Sequence, residues 1–392
     1  MRNIETHCIH AGRTPEKFSG LVNTPVFRGS TVLAENFESW QAHKKDGNPY
    51  AYYGRFGTPT THSFESAIAE LEGGQHSLVF PSGLSACTHS LLAFVAAGDH
   101  ILITDNIYGP TRMFADRVLK RLGVDVEYFD PLCGAGIESM LRANTKVVFT
   151  ESPGSLTFEV ADIPAISAAA HAVGAIVIID NTWASPLYFK AFEHGADVSI
   201  QAATKYIVGH SDALLGTATA NARAWPQLKA SAHDFGETAG PDDIFLALRG
   251  LRSMPVRLRQ HWENGLMLAQ SLQSNSAVAR VLHPALQNDP GHDTWKRDFT
   301  GASGLFGIRL VAQNPQQLST FFNNLKLFGI GLSWGGFESL VVPVGIPERS
   351  VKPAAEGYLV RVHAGLEHID DLLEDFHRAL HLAFAPTQFA VA

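Results

Sequence analysis

The chain of 392 residues is short of three things. It has only three cysteines, Cys8, Cys87 and Cys133, widely spaced and with no CxxC pair. That excludes a disulfide framework or a thiolate metal knuckle and predicts free thiols in a reducing cytoplasm. It has no apolar run near the ~18 residues that a membrane span needs. Its start, MRNIETHCIHAGR, has no apolar stretch of the kind a secretion signal carries. Basic residues are also in deficit, 30 against 38 acidic, for a formal charge of −8. A general nucleic-acid or anionic-membrane surface would need the opposite balance, so neither partner is expected.

What is present is apolar: 45% hydrophobic against 17% charged residues, enough to bury a large core. Residues 1–55 show no sustained period. They carry the aromatics Phe27, Phe37, Trp40, Tyr50, Tyr52 and Tyr53, which predicts packing against something, such as another subunit. From about 60 to 215, short apolar runs alternate with helical stretches: SLVF (77–80), HILIT (100–104), VDVEYF (124–129), KVVFT (146–150), AIVIID (175–180) and DVSIQ (197–201). Continuous β-branched runs between amphipathic helices predict an α/β fold, a buried and mostly parallel sheet with helices on both faces. A helical stretch over 242–275, with a kink expected at Pro255, leads into strand-like GLFGIRLV (304–311), LVVPV (340–344) and YLVRVHAG (358–365). Three units are expected: an N-terminal segment 1–55, an α/β domain 56–245 and a smaller α+β domain 246–392.

In open α/β sheets, ligands bind at the carboxyl ends of the strands. Three such ends carry chemistry here. Ser82 and Gly83 follow a strand and open a helix, where free N–H groups attract an anion; an ordinary turn capped by Ser82 reads the same way. Asp180 closes an apolar run, as a ligand-orienting carboxylate or as the cap of the next turn. Lys205, in SIQAATKYIVGHSD, is a candidate for a desolvated, nucleophilic amine or an ordinary surface lysine. Together the three match the needs of pyridoxal 5′-phosphate: an anion cup, a carboxylate for the pyridine nitrogen and an amine for the aldehyde. One opposite charge at ~4 Å and an effective dielectric of ~20 contributes about 4 kcal/mol gross, roughly three pKa units. That suffices to keep a weakly basic pyridine protonated.

Rival chemistries lack their marks. The string GAGIES (134–139) lacks the third glycine of a dinucleotide fingerprint. The 18 histidines include no HExxH, and His7 with His10 or His210 with Asp212 are too sparse to hold a metal.

The stretches YYGRFGTPTTHSFE, FPSGLSA, DNTWASP, SIQAATKYIVGHSD, LRGLRSMPVRLRQH, WKRDFTGASGLF, SWGGFESL and LVRVHAGLE occur in this order. On these the chain resembles, over essentially its full length, the Cys/Met-metabolism family of fold-type I pyridoxal-phosphate enzymes, and most of all its bacterial branch of cystathionine-cleaving β-lyases. The resemblance implies a seven-stranded sheet and a homotetramer, a dimer of dimers with active sites shared between subunits. It implies a cytoplasmic carbon–sulfur lyase of methionine biosynthesis that acts on an amino-acid thioether. The alternative within the family is γ-elimination or γ-replacement.

By the same resemblance Lys205 is the Schiff-base lysine and proton carrier, and Asp180 the partner of the ring nitrogen. Ser82, Gly83 and Leu84 form the phosphate cup, with a hydroxyl from Thr204. Tyr108 stacks on the ring, and Tyr53 and Arg55 serve a neighbouring subunit's cofactor. Arg361 clamps the substrate carboxylate, and Ser333 and Trp334 line the substrate side. Two positions depart from the pattern. Leu84 stands where relatives often carry Met, and Arg112 and Met113 follow the stacking tyrosine where β-lyases place an acid, with Asp116 only later. Shorter substrates such as cysteine and cystine are therefore also expected.

Overall fold

The computed structural model describes residues 3–45, 53–351 and 357–384. Tyr50 and Tyr52 lie outside these residues. The larger sheet has seven strands: β1 (His76–Phe80), β2 (His100–Thr104), β3 (Asp125–Phe129), β4 (Thr145–Glu151), β5 (Ile176–Asp180), β6 (Val198–Gln201) and β7 (Gly216–Ala220). Their order is β1-β7-β6-β5-β4-β2-β3. Only β7 opposes the common direction, pairing antiparallel with both β1 and β6. The alternation of side chains divides each strand between two cores. Ile101, Ile103, Val147, Phe149 and Ile178 enter one; Leu102, Val148, Val177 and Ile179 enter the other. Strands buried on both faces read as continuous apolar runs, which is why the sequence pattern predicts a sheet of this kind.

The helices are α1 (Ile4–His10), α2 (Phe37–Lys45), α3 (Pro59–Glu72), α4 (Gly83–Leu92), α5 (Gly109–Phe114), α6 (Ile163–Ala172), α7 (Ser185–Tyr188), α8 (Trp225–Phe235), α9 (Pro241–Leu272), α10 (His292–Asp298), α11 (Pro315–Asn324) and α12 (Ile369–Phe384). The 32-residue helix α9 is continuous through Pro255. Its first half buries Ile244, Leu251 and Leu258 against α1 and α3, and its end buries Leu268 and Leu272 in the core of the second sheet. The expected domain boundary at 246 therefore falls inside one helix that packs in both cores.

The second sheet comprises β8 (Val278–Leu282), β9 (Leu305–Leu310), β10 (Gly329–Ile330), β11 (Leu340–Gly345) and β12 (Tyr358–His363), in the order β10-β11-β12-β9-β8. Its pairs are antiparallel except for β10 with β11. In the N-terminal segment Cys8 is buried, while Leu33 and Phe37 are 86% and 66% exposed. No described helix is long and apolar enough to cross a membrane.

Candidate active site

Five of the parallel strands deliver a functional side chain at or just beyond their carboxyl ends: Ser82 after β1, Tyr108 after β2, Glu151 on β4, Asp180 on β5 and Lys205 after β6. All five line one cleft, joined by Gly83, Leu84, Thr204, Trp334 and Arg361. The cleft lies where the open-sheet rule places a ligand.

Ser82 is an N-cap that also lines the cleft. Its Oγ caps α4 by accepting the Ser85 N–H at 3.0 Å, and the helix start still faces the cleft. Glycine at 83 is demanded by contact, since a Cβ there would meet the Cβ of Ala202 at 2.6 Å. The turn before α4 thus rests on the segment that leads to Lys205.

Asp180 is 8% exposed and well supplied with donors. The Thr182 N–H reaches Oδ1 at 3.1 Å, the Thr182 hydroxyl reaches the same atom, and the Cys87 thiol reaches Oδ2 at 3.8 Å. Burial raises its pKa, while these donors and the positive charge of Lys205 work the other way.

Lys205 Nζ donates to Ser333 Oγ at 2.9 Å and lies 5.4 Å from the centre of the Trp334 ring. Burial, helped by the nearby Arg361 charge and opposed by Asp180, brings its pKa down to about 8. The SWGG turn can approach because Gly335 sits at φ +83° and a Cβ there would meet the Lys205 backbone at 3.0 Å. The Gly335 N–H donates to His363 Nε2 at 3.1 Å, which fastens the turn to β12.

Arg361 shares a face of β12 with His363. Its Nη2 donates to the carbonyls of Leu332 (2.6 Å) and Ser333 (3.1 Å). No carboxylate among the described residues pairs with it. Burial lowers its pKa to about 10. Tyr108 stands ahead of α5, and burial raises the pKa of its phenol, with the Asp180 charge acting the same way.

Thr204 lines the cleft, while Tyr53 and Arg55 are the residues expected to serve a neighbouring subunit. The hydroxyl of Thr204 donates to Leu215 O at 3.1 Å and accepts the Leu215 N–H at 2.9 Å, so its one proton is committed to locking a turn. Tyr53 and Arg55 do not line the cleft of their own chain. Tyr53 is 44% exposed, and Arg55 donates to His233 O and lies over the Phe56 ring. The substitutions after the tyrosine also point elsewhere: Arg112 is buried against Asp105 at 2.7 Å, and Asp116 pairs with Lys120.

Sequence reasoning missed Thr182, Cys87 and Glu151. For Glu151 the signal was present, because KVVFTE ends in a carboxylate just as AIVIID does. Thr182 follows Asp180 by two residues, the spacing of a local side-chain turn.

The family model described as Cys/Met metabolism PLP-dependent enzyme matches residues 5–381. The cystathionine beta-lyase MetC of Escherichia coli K12 is 46% identical over 384 residues, covering 95% of this chain and 97% of that protein. The cystathionine beta-lyase of Salmonella typhimurium is similar to the same degree, 46% over 384 residues. The crystal structure of metB from Corynebacterium glutamicum superposes with a TM-score of 0.89 at 29% identity, covering 97% of this chain and 98% of that one. The chain belongs to the Cys/Met metabolism family of PLP-dependent enzymes.

Proposed function

We propose that this protein is a carbon–sulfur β-lyase that cleaves L-cystathionine to homocysteine, pyruvate and ammonia, a step of methionine biosynthesis. The observation that carries the reading is the pairing, in one cleft, of a desolvated lysine with a buried carboxylate, in a chain nearly half identical to proteins named cystathionine beta-lyase.

The donor set fits the cofactor. A phosphate needs N–H groups, a pyridinium needs an anion and an aldehyde needs an amine. The start of α4, Asp180 and Lys205 supply one each. Ser82, Gly83 and Leu84 would hold the phosphate, Asp180 the ring nitrogen and Tyr108 the ring face. Thr204 serves by locking the turn beneath them. Tyr53 and Arg55, remote from their own cleft, serve the cleft of a neighbouring copy, so the working unit is a dimer, paired into a tetramer. When bound, pyridoxal phosphate supplies an aldehyde that captures amines and a ring that accepts electrons from the substrate Cα.

Arg361 clamps the α-carboxylate of the substrate, and its contacts with the Leu332 and Ser333 carbonyls fix the strand-to-turn geometry. Ser333 and Trp334 line the substrate side, and Ser333 Oγ accepts from Lys205 Nζ, which aims the amine. Lys205 Nζ removes the Cα proton, and its depressed pKa makes the neutral base accessible near neutral pH. The Cβ–S bond breaks, the thiol leaves with a proton, and water converts the remaining three carbons to pyruvate and ammonia. Cysteine and cystine carry the same Cβ–S bond and are secondary substrates.

Analysis of the keto acid made from cystathionine tests the reading. Pyruvate is expected. A 2-oxobutyrate product would mean γ-cleavage and would overturn it.

A further inference from the structure

We infer that Glu151 works as a neutral carboxylic acid that positions Tyr108 and leaves Asp180 the sole anion at the floor of the cleft. The role of Asp180 rests on the cofactor reading above; the state of Glu151 rests on geometry.

Glu151 ends β4 and Asp180 ends β5. The two strands are parallel, and these residues are register partners. Neighbouring strands lie about 4.8 Å apart, so the two carboxyl groups stand side by side and line the same cleft, Asp180 buried and Glu151 partly so. Two like charges this close do not both ionise without cost, and the proton settles where the anion is worse served.

The donors decide which that is. Asp180 receives an N–H, a hydroxyl and a thiol, and Lys205 attracts it. Glu151 receives one N–H, from Tyr108 to Oε2 at 2.7 Å. No basic side chain among the described residues pairs with it. The titratable groups that face it are Asp180 from β5, Cys87 from α4 and Tyr108 ahead of α5, with Lys205 and Arg361 elsewhere in the cleft wall. Burial pushes the Glu151 carboxyl well up, and the Asp180 charge pushes it the same way.

The consequence is positional. The acid's carbonyl oxygen accepts the Tyr108 N–H and fixes the residue that faces the ligand. A second carboxylate here would compete with Asp180 for any cationic ring nitrogen. A neutral acid does not.

The test uses the cofactor-loaded protein, its E151Q and E151A variants and infrared difference spectroscopy at pH 7. The parent minus E151Q spectrum should contain a protonated-carboxyl stretch. The pH midpoint of the absorbance band of the lysine–cofactor adduct should be the same in E151Q as in the parent, because no charge is removed. Cofactor should bind E151Q within about threefold of the parent and E151A about tenfold more weakly, the scale of one lost hydrogen bond. An ionised carboxylate in the infrared spectrum, with the midpoint in E151Q lowered by about one unit, would overturn the inference. Should E151A fail to fold, E151Q alone still decides. If the carboxyl band is present but no thioether is cleaved, the lyase reading fails and the state of Glu151 stands.

Discussion

At position 205 an ordinary amine becomes a base by losing water. Its pKa of about 8, against an ordinary 10.5, means that the folded chain favours the neutral form. The neutral fraction therefore rises through pH 8. In cofactor-free protein, acylation of Lys205 followed by mass spectrometry should show a midpoint near 8, and a midpoint near 10.5 would show that the amine is solvated. Arg361→Ala removes a charge-assisted clamp. It should leave cofactor bound and lower kcat/KM by about 10- to 100-fold, the range of such hydrogen bonds; unchanged kinetics would remove Arg361 from the site. At this scale Ser82, Asp180 and Lys205 were legible because each follows an apolar run that must be a strand. For Thr204 the protein partner of the hydroxyl could not be read from sequence. A threonine beside a ligand segment and one that locks a turn look alike until Leu215 is seen to fold back on it.

At the scale of elements, one buried clasp ties the larger sheet to the segment beyond β11. Asp105, just after β2, is gripped by Arg112 and by Arg349, Ser350 and Val351 from the segment that follows β11. Burial works against the Asp105 charge, but the Ser350 and Val351 N–H groups and the two guanidiniums outweigh it and bring its pKa to about 2. A depressed carboxylate pKa gives stability that is present above the ordinary value of 3.8 and lost as pH falls toward 2. Asp105→Ala would take from buried Arg112 its carboxylate partner and leave Arg349 only Glu159. Urea unfolding should show a loss of about 3–5 kcal/mol, and a loss below about 1 kcal/mol would show that the clasp is not structural. No motif flagged this contact, because its partners stand some 240 residues apart. Strand β7 (GTATA) also escaped the sequence reading, for a physical reason. It has no large side chains, and at its first residue none would fit: a Cβ on Gly216 would meet Ser82 O at 2.2 Å. Small residues there serve the approach of the backbone and erase the usual strand signal. At Pro255, where a kink was expected, α9 remains one continuous helix between two cores.

At the scale of the whole molecule, the proposed shared site is the point to test: Leu33 and Phe37 are exposed, and Tyr53 and Arg55 do not line the cleft of their own chain. The expectation of an assembly rests on family resemblance, since nothing within a single chain's pattern marks a residue as serving its neighbour. A mixing experiment tests it. Arg55→Ala and Lys205→Ala proteins, each with little activity, should regain part of it when dissociated and reassociated together, because hybrid dimers contain one intact site. No recovery would place Arg55 outside a shared site. The central claim is that the amine at 205 carries the chemistry, with the carboxylate at 180 across the same ligand. The most direct measurement is borohydride reduction of the purified protein loaded with pyridoxal phosphate, followed by peptide mapping. The account predicts the reduced cofactor on Lys205, with labelling and lyase turnover both lost in Lys205→Ala. Label on another lysine, or near-normal turnover in that variant, would contradict it.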